Sequence, residues 1–349
     1  MPPRAGRKPT LEALLPPILA LLEETPPNAY SAHQKALTTT ARLVHSGHGA
    51  LAIEILAASS REMLKIGEVA SGVELGFRML EIMGETKVEV DDKSRATVTQ
   101  LLALTPPAGP WRKKLADAAV KWSAQECPTG DPSLQQYLGE LYYKDNLFVP
   151  AETHLLASGK RDAASLLAEL MFEWSHKGAD PVGGYAARGV LPFLAQAPPN
   201  VLAATTFITR FLSLLAQPSS PASSIFIGSA PGPTDKDPQV QLTTNPTVNF
   251  LQLAILTVMR APAPGASAVQ ARGTDGGVAR DWQQLVARYR RIAGTDGVLA
   301  SKDVVEAIDH ISVAVFLIPQ RGGGNDMLQN LMGSLFGGGG GGMPALGAR

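Results

Sequence analysis

His45 and His48 stand three residues apart, a spacing at which two imidazoles on one helical turn can pinch a metal ion. A zinc site needs three or four ligands, and no third is close by, so the pair reads as polar turn residues. Cys127, Glu152 and His154 would supply a nucleophile, a base and an acid if one cleft gathered them. Cys127 has no base beside it and precedes Pro128, and no second histidine follows His154 at the zinc-protease offset. The cysteine therefore reads as structural and the histidine as satisfied or exposed. Gly322-Gly323-Gly324 precedes no lysine and follows no clear strand, so it is not a phosphate loop. Arg288, Arg290 and Arg291 around Tyr289 are types that touch nucleic acid. On a helix they spread over two faces, which suits a solvated surface. Trp111, Trp122, Trp174 and Trp282 suit core or inter-repeat packing better than a ligand cage. No catalytic, cofactor or metal site is expected.

The residues that do line up are acidic. At about 100° per residue, Glu74, Arg78, Glu81 and Glu85 fall within about 60° of one another on a helix from Gly72 to Glu85. Leu75, Met79, Leu80, Ile82 and Met83 gather opposite them. Glu62 to Asp92 holds eight acidic and three basic side chains, a local net charge of −5 in a chain whose 31 basic and 31 acidic residues cancel. Such a stripe speeds association with a basic partner. The plainer reading is a solvated helix face with an Arg78 ion pair.

The overall neutrality argues against a general nucleic-acid binder, which needs a basic surplus. A single cysteine forms no internal disulfide, which suits a reducing compartment. Arg4, Arg7 and Lys8 lead into Pro16, Pro17, Glu23 and Glu24, a poor signal peptide. No window approaches the ~20 apolar residues of a membrane span. A cytosolic protein without direct membrane insertion is expected.

The elements that must present the stripe are helices. Residues 1–10 read as a disordered leader and 11–216 as helix after helix. Ala41, Val44, Leu51 and Ile55 suit a pair turned at Gly47 and Gly49. The Gly72 helix stops near Gly84, and Val98, Leu101, Leu102 and Leu104 suit another, stopped by Pro106 and Pro107. Trp122 and Trp174 each stand late in a helix, before a polar break, and Ala151 to Gly159 looks like one helix of a tetratricopeptide-like hairpin. Helices of roughly 12–18 residues with Gly or Pro breaks point to an all-α solenoid of paired helices. The composition changes near Gln217. Within 217–248, Ser224–Gly228 and Val240–Thr243 have strand composition around a Pro/Gly/Asp turn, a small β-hairpin or a long structured loop. Helices resume at Asn249–Arg260, Arg280–Ile292 and Lys302–Ile311, with 261–279 a surface loop or insertion. The second half is taken as 217–319. In 320–349, Met327 to Phe336 is a short apolar helix and Gly337–Gly342 a flexible run.

Tyr30-Ser31-Ala32-His33-Gln34, Ser71-Gly72-Val73-Glu74-Leu75, Lys87-Val88-Glu89-Val90-Asp91-Asp92, Trp122-Ser123, Gly130-Asp131-Pro132, Ala151-Glu152-Thr153-His154 and Asn249-Phe250-Leu251-Gln252-Leu253 occur in that order. Over residues 28–336 the set resembles the Golgi-to-ER traffic adaptor family, the solenoid subunit of the machinery for guided entry of tail-anchored proteins. The resemblance implies a tetratricopeptide-like α-solenoid without catalysis. It implies an N-terminal half that docks on the targeting ATPase of the tail-anchored pathway. It implies a C-terminal half whose β-hairpin clasps a ubiquitin-like-domain partner, which recruits a tetratricopeptide co-chaperone. Carried over by position, the ATPase surface falls on Tyr30, Gln34, Glu74, Arg78 and Glu81. The ubiquitin-like partner's contacts fall on Ile225, Phe226, Ile227, Val240, Leu242 and Phe250. Within the hairpin this chain has its own Pro/Gly-rich stretch, and 261–279 and the six-glycine run look like additions.

The expected function is a cytosolic scaffold bridging that ATPase and the ubiquitin-like partner. The alternative is a helical-repeat subunit of a proteasome-lid or signalosome-type assembly, which would carry a C-terminal winged-helix domain.

Overall fold

The computed structural model describes residues 9–125, 127–178, 181–218, 220–231, 239–261 and 277–318. Most of the expected leader, most of 261–279, Gly322–Gly324, the Met327–Phe336 segment and the glycine run lie outside these residues. The chain divides into two compact units, Met1–Trp174 and Ser175–Arg349.

The first unit is a succession of helices: α1 (Leu11–Leu14), α2 (Pro16–Leu22), α3 (Ala29–His45), α4 (Gly49–Lys65), α5 (Val69–Glu85), α6 (Asp92–Leu104), α7 (Trp111–Ser123), α8 (Pro132–Lys144), α9 (Phe148–Ser158) and α10 (Arg161–Lys177), which runs across the unit boundary. Two of the stops are set by glycine. Gly47 and Gly67 take φ of +78° and +86° just after α3 and α4, a conformation that costs glycine nothing. Gly49 belongs to the first turn of α4 rather than to the bend. Some starts are capped by side chains. Asp91 and Ser94 form a reciprocal capping box on α6, and Asp131 caps α8 with Pro132 in its first turn.

Packing is local. α3 lies on α4 and α4 on α5, and each also meets a helix two places on: α3 with α5, α4 with α6, α5 with α7 and α6 with α8. Met63, Leu75, Met79, Ile82 and Leu102 fill the space between them. This is the paired-helix architecture of a tetratricopeptide-like solenoid. Polar ties brace it. Arg112, 5% exposed, donates from Nε to the Thr105 carbonyl at 2.8 Å and pairs with Asp145. Arg95 joins α6 to Asp131 at 2.8 Å, and the Tyr143 hydroxyl donates to Glu173 at 2.8 Å. His154 on α9 stacks on Tyr142 of α8, with centroids 5.3 Å apart, and its Nδ1 lies 2.6 Å from Gln135 Oε1.

The second unit holds α11 (Val182–Leu194), α12 (Val201–Leu215), an antiparallel hairpin of β1 (Phe226–Ala230) and β2 (Val240–Thr243), then α13 (Pro246–Val258), α14 (Gly277–Ala293) and α15 (Lys302–Ala314). Ser224 and Ile225 stand in a short 3-10 turn ahead of β1, and residues 277–279 open α14 rather than ending a loop. α13 is the hub, packed by α11, α12, α14 and β2. It is apolar nearly all round, so it must be covered on all sides. Phe250 lies 6.1 Å from Trp282 and 5.9 Å from Tyr289, and Trp282 stacks on Phe316 at 4.8 Å. The buried indole N–H of Trp282 donates to Ser312 Oγ at 2.7 Å.

At Gly189, α11 approaches α12 so closely that an added methyl would enter the Phe207 ring. Alanine normally favours a helix over glycine by roughly 1 kcal/mol. Here Gly189→Ala is expected to lower stability by about 1–3 kcal/mol in urea unfolding, the cost of overpacking. A variant as stable as the parent would refute the close contact.

Burial pushes the His154 imidazole from the usual 6.5 down to about 4. Between those values the unfolded chain binds the proton and the folded chain does not, so this stability is complete above pH 6.5 and lost as pH falls towards 4. The gap in unfolding free energy between the parent and His154→Gln should shift by about 2 kcal/mol across that window. Parallel curves would show a solvated imidazole.

Candidate functional site

Helix α5 turns Leu75, Met79, Leu80, Ile82 and Met83 inward. That leaves Glu74, Glu81 and Glu85 outside, with side chains 64%, 60% and 55% exposed. Arg78 lies among them. Its Nη1 is 2.9 Å from Glu81 Oε2 and 3.5 Å from Glu85 Oε1. The hydrogen bond it donates to Glu81 is the chief reason its pKa is raised, against a smaller opposing effect of burial. One cation thus ties two of the three carboxylates, and the ridge stays net negative. Exposed pairs of this kind add little to stability, so the stripe's consequence is its field.

Glu74 sits at the seam with α3. The ring of His33, 7% exposed, places Nε2 3.3 Å from Glu74 Oε2 without aligning a hydrogen bond. Tyr30, 76% exposed, and the exposed Gln34 flank His33 on the same helix. The structure therefore brings Glu74 of α5 into contact with α3, the helix that also carries Tyr30 and Gln34. His33 was missed as a member of this contact. It stood inside the Tyr30–Gln34 motif, but contact between two helices that are not sequence neighbours has no signature in either one.

The expected contacts of the ubiquitin-like partner separate into two sets. Ile227 and Leu242 are 69% and 39% exposed, and Ile225 and Phe226 are half-buried. Val240 is 7% exposed and Phe250 fully enclosed. Phe250 is corrected to a core residue, since the Trp282 and Tyr289 rings cover it. Val240 faces inward as well. With Phe226, Ile208, Leu212, Gln252 and Ile255 it lines an open-sided cavity of about 400 Å³ between α12, the hairpin and α13. Its walls are mostly apolar, which suits an apolar side chain rather than a charged metabolite.

The remaining candidates fall apart in space or find partners. Among the described residues, no group of three or more His, Cys, Asp or Glu could hold a metal ion. His48 Nδ1 lies 3.2 Å from Ser46 Oγ at the α3–α4 turn. Cys127 Sγ lies 3.2 Å from Thr129 Oγ1. Glu152 projects about 200° round α9 from the tightly packed His154, so the two do not converge. Arg290 reaches Asp309 at 3.4 Å, while Arg288 and Arg291 point to solvent. Trp122 and Trp282 are core, Trp174 stacks half-buried on Phe148 at 5.5 Å, and Lys114 lies 4.9 Å over the Trp111 ring. No helix among the described residues is long and apolar enough to cross a membrane.

A family model described as Golgi to ER traffic protein 4 matches residues 47–336. Golgi to ER traffic protein 4 of Aspergillus fumigatus is 27% identical over 325 residues, spanning 88% of this chain and 86% of that protein. The Homo sapiens homolog is 26% identical over 167 residues, 47% of this chain and 50% of the relative. The crystal structure of C. therm. Get4 superimposes with a TM-score of 0.74 at 26% identity, covering 97% of this chain and 99% of that one. The stacked helices, the interposed hairpin and a match across most of the chain agree, and the chain belongs to the Golgi to ER traffic protein 4 family.

Proposed function

We propose that this traffic adaptor bridges two partners in the cytosol: the targeting ATPase of the tail-anchored pathway, and a ubiquitin-like-domain protein that recruits a tetratricopeptide co-chaperone. It works by binding and carries out no chemistry of its own. The observation that carries this reading is the α5 ridge, three carboxylates 55–64% exposed around Arg78, packed beside α3, on which Tyr30 and Gln34 are exposed. A ridge of that sign suits a basic face on the ATPase. Binding one nucleotide state of the ATPase better than another shifts its equilibrium by the difference in affinity and by nothing more. The ubiquitin-like partner takes the hairpin and its cavity, where Ile227 and Leu242 are exposed and Phe226 is half-buried. The apolar client need not touch the adaptor.

Glu74→Lys with Glu81→Lys should slow ATPase association about tenfold or more at low salt while the ubiquitin-like partner stays bound. Surface-plasmon kinetics on a double variant of normal helix content checks this, and an unchanged association rate would remove the ridge from the mechanism. Replacing residues 226–243 with a short Gly-Ser link, which spares α13 from Pro246 onward, should abolish co-purification of the ubiquitin-like partner and leave ATPase capture intact. Undiminished recovery would move that interface elsewhere.

A further inference from the structure

β2 has two edges, and β1 occupies only one. The outer edge faces α13, where a third strand would normally continue the ladder. Two side-chain amides stand there instead. Gln252 Oε1 accepts from the Gln241 backbone N–H at 2.8 Å, and Gln252 Nε2 donates to the Gln241 carbonyl at 2.9 Å. Asn249 Oδ1 accepts from the Thr243 N–H at 3.0 Å, and Asn249 Nδ2 donates to the Thr243 carbonyl at 2.7 Å. Gln241 and Thr243 are two apart, the repeat at which outward peptide groups recur on a strand edge. Asn249 and Gln252 are three apart, the repeat that puts two side chains on one helix face. A carboxamide carries the same donor and acceptor as a peptide unit, so α13 offers β2 a two-rung imitation of a strand.

The imitation is well enclosed. Gln252 is 7% exposed and Thr243 3%. Thr243 Oγ1 also donates to Asn249 Oδ1 at 2.9 Å and receives the Asn245 N–H at 3.2 Å, tying the strand to the cap of α13. If the hairpin swung away, four backbone groups, the buried Gln252 amide and the half-buried Asn249 amide would lose these partners together, each at the cost of an unmet polar group. Gln252 and Gln241 also line the cavity that Phe226 and Val240 close, so the same bonds set its width.

We propose that Asn249 and Gln252 are positioning residues for partner recognition: they latch the hairpin to α13 and hold the cavity in its binding geometry. The proposal rests on the reading of the hairpin as the ubiquitin-like partner's site. It gives the polar members of Asn249-Phe250-Leu251-Gln252 a task distinct from the core role of Phe250.

Gln252→Glu tests it with an isosteric change. The introduced carboxylate still accepts from Gln241 N–H but has no hydrogen for the Gln241 carbonyl, and two oxygens then oppose each other. The probe is the N-terminal segment of the ubiquitin-like-domain partner, titrated against full-length parent and variant at pH 8 and pH 5. At pH 8 the variant should bind about tenfold more weakly, with faster amide exchange at Gln241 and Thr243 and unchanged ATPase capture. At pH 5 the protonated carboxyl donates again, and affinity should return to within about threefold of the parent at that pH. Bulk destabilisation would not restore binding through one hydrogen. Equal affinity of parent and variant at pH 8, or a loss of the same size at both pH values, overturns the latch. Failure of the segment to bind the parent overturns the hairpin reading and the latch with it.

Discussion

An amphipathic helix has one apolar stripe, and in the first unit that stripe is buried against helices one and two places along the chain. Everything outward follows from that constraint. On α5, sending Leu75, Met79 and Ile82 to the α4 and α7 side sends Glu74, Glu81 and Glu85 to water. Because the cover comes from near neighbours, the polar faces need no further packing partner and stay solvent-facing. The acidic ridge is the outer side of a core decision.

α13 obeys the opposite rule. With buried residues all round it needs cover on every side, and the chain supplies α11, α12, α14 and the hairpin. A strand laid on a helix leaves its outer peptide groups facing side chains, and apolar side chains there would strand them unpaired. Two carboxamides solve that problem at two rungs. The hairpin is thereby part of the core through Val240 and part of the surface through Ile227 and Leu242.

Helices were legible in the sequence because a 3.6-residue period needs no partner to be recognised. Gly72–Glu85 gave the exposed stripe of α5 correctly and its start three residues late, since nothing polar caps Val69. Composition found the strands, but not the 3-10 turn that claims Ser224 and Ile225. The expectation for Phe250 differs from the structure because a resemblance carries positions, not exposure: a helix apolar nearly all round gives little hint of which side meets solvent. His33 beneath Glu74 and the amides of Asn249 and Gln252 were out of reach for another reason. Each acts across a contact between separate elements, and a lone histidine or amide in a helix looks the same with or without it.

Under the proposed function, the negative ridge of one unit and the apolar hairpin site of the other bind their partners independently. Calorimetric titration of the adaptor with the ATPase, alone and with saturating ubiquitin-like partner, tests this most directly. Independent sites predict a ternary complex with the ATPase affinity unchanged within about twofold. Displacement of one partner by the other would contradict it.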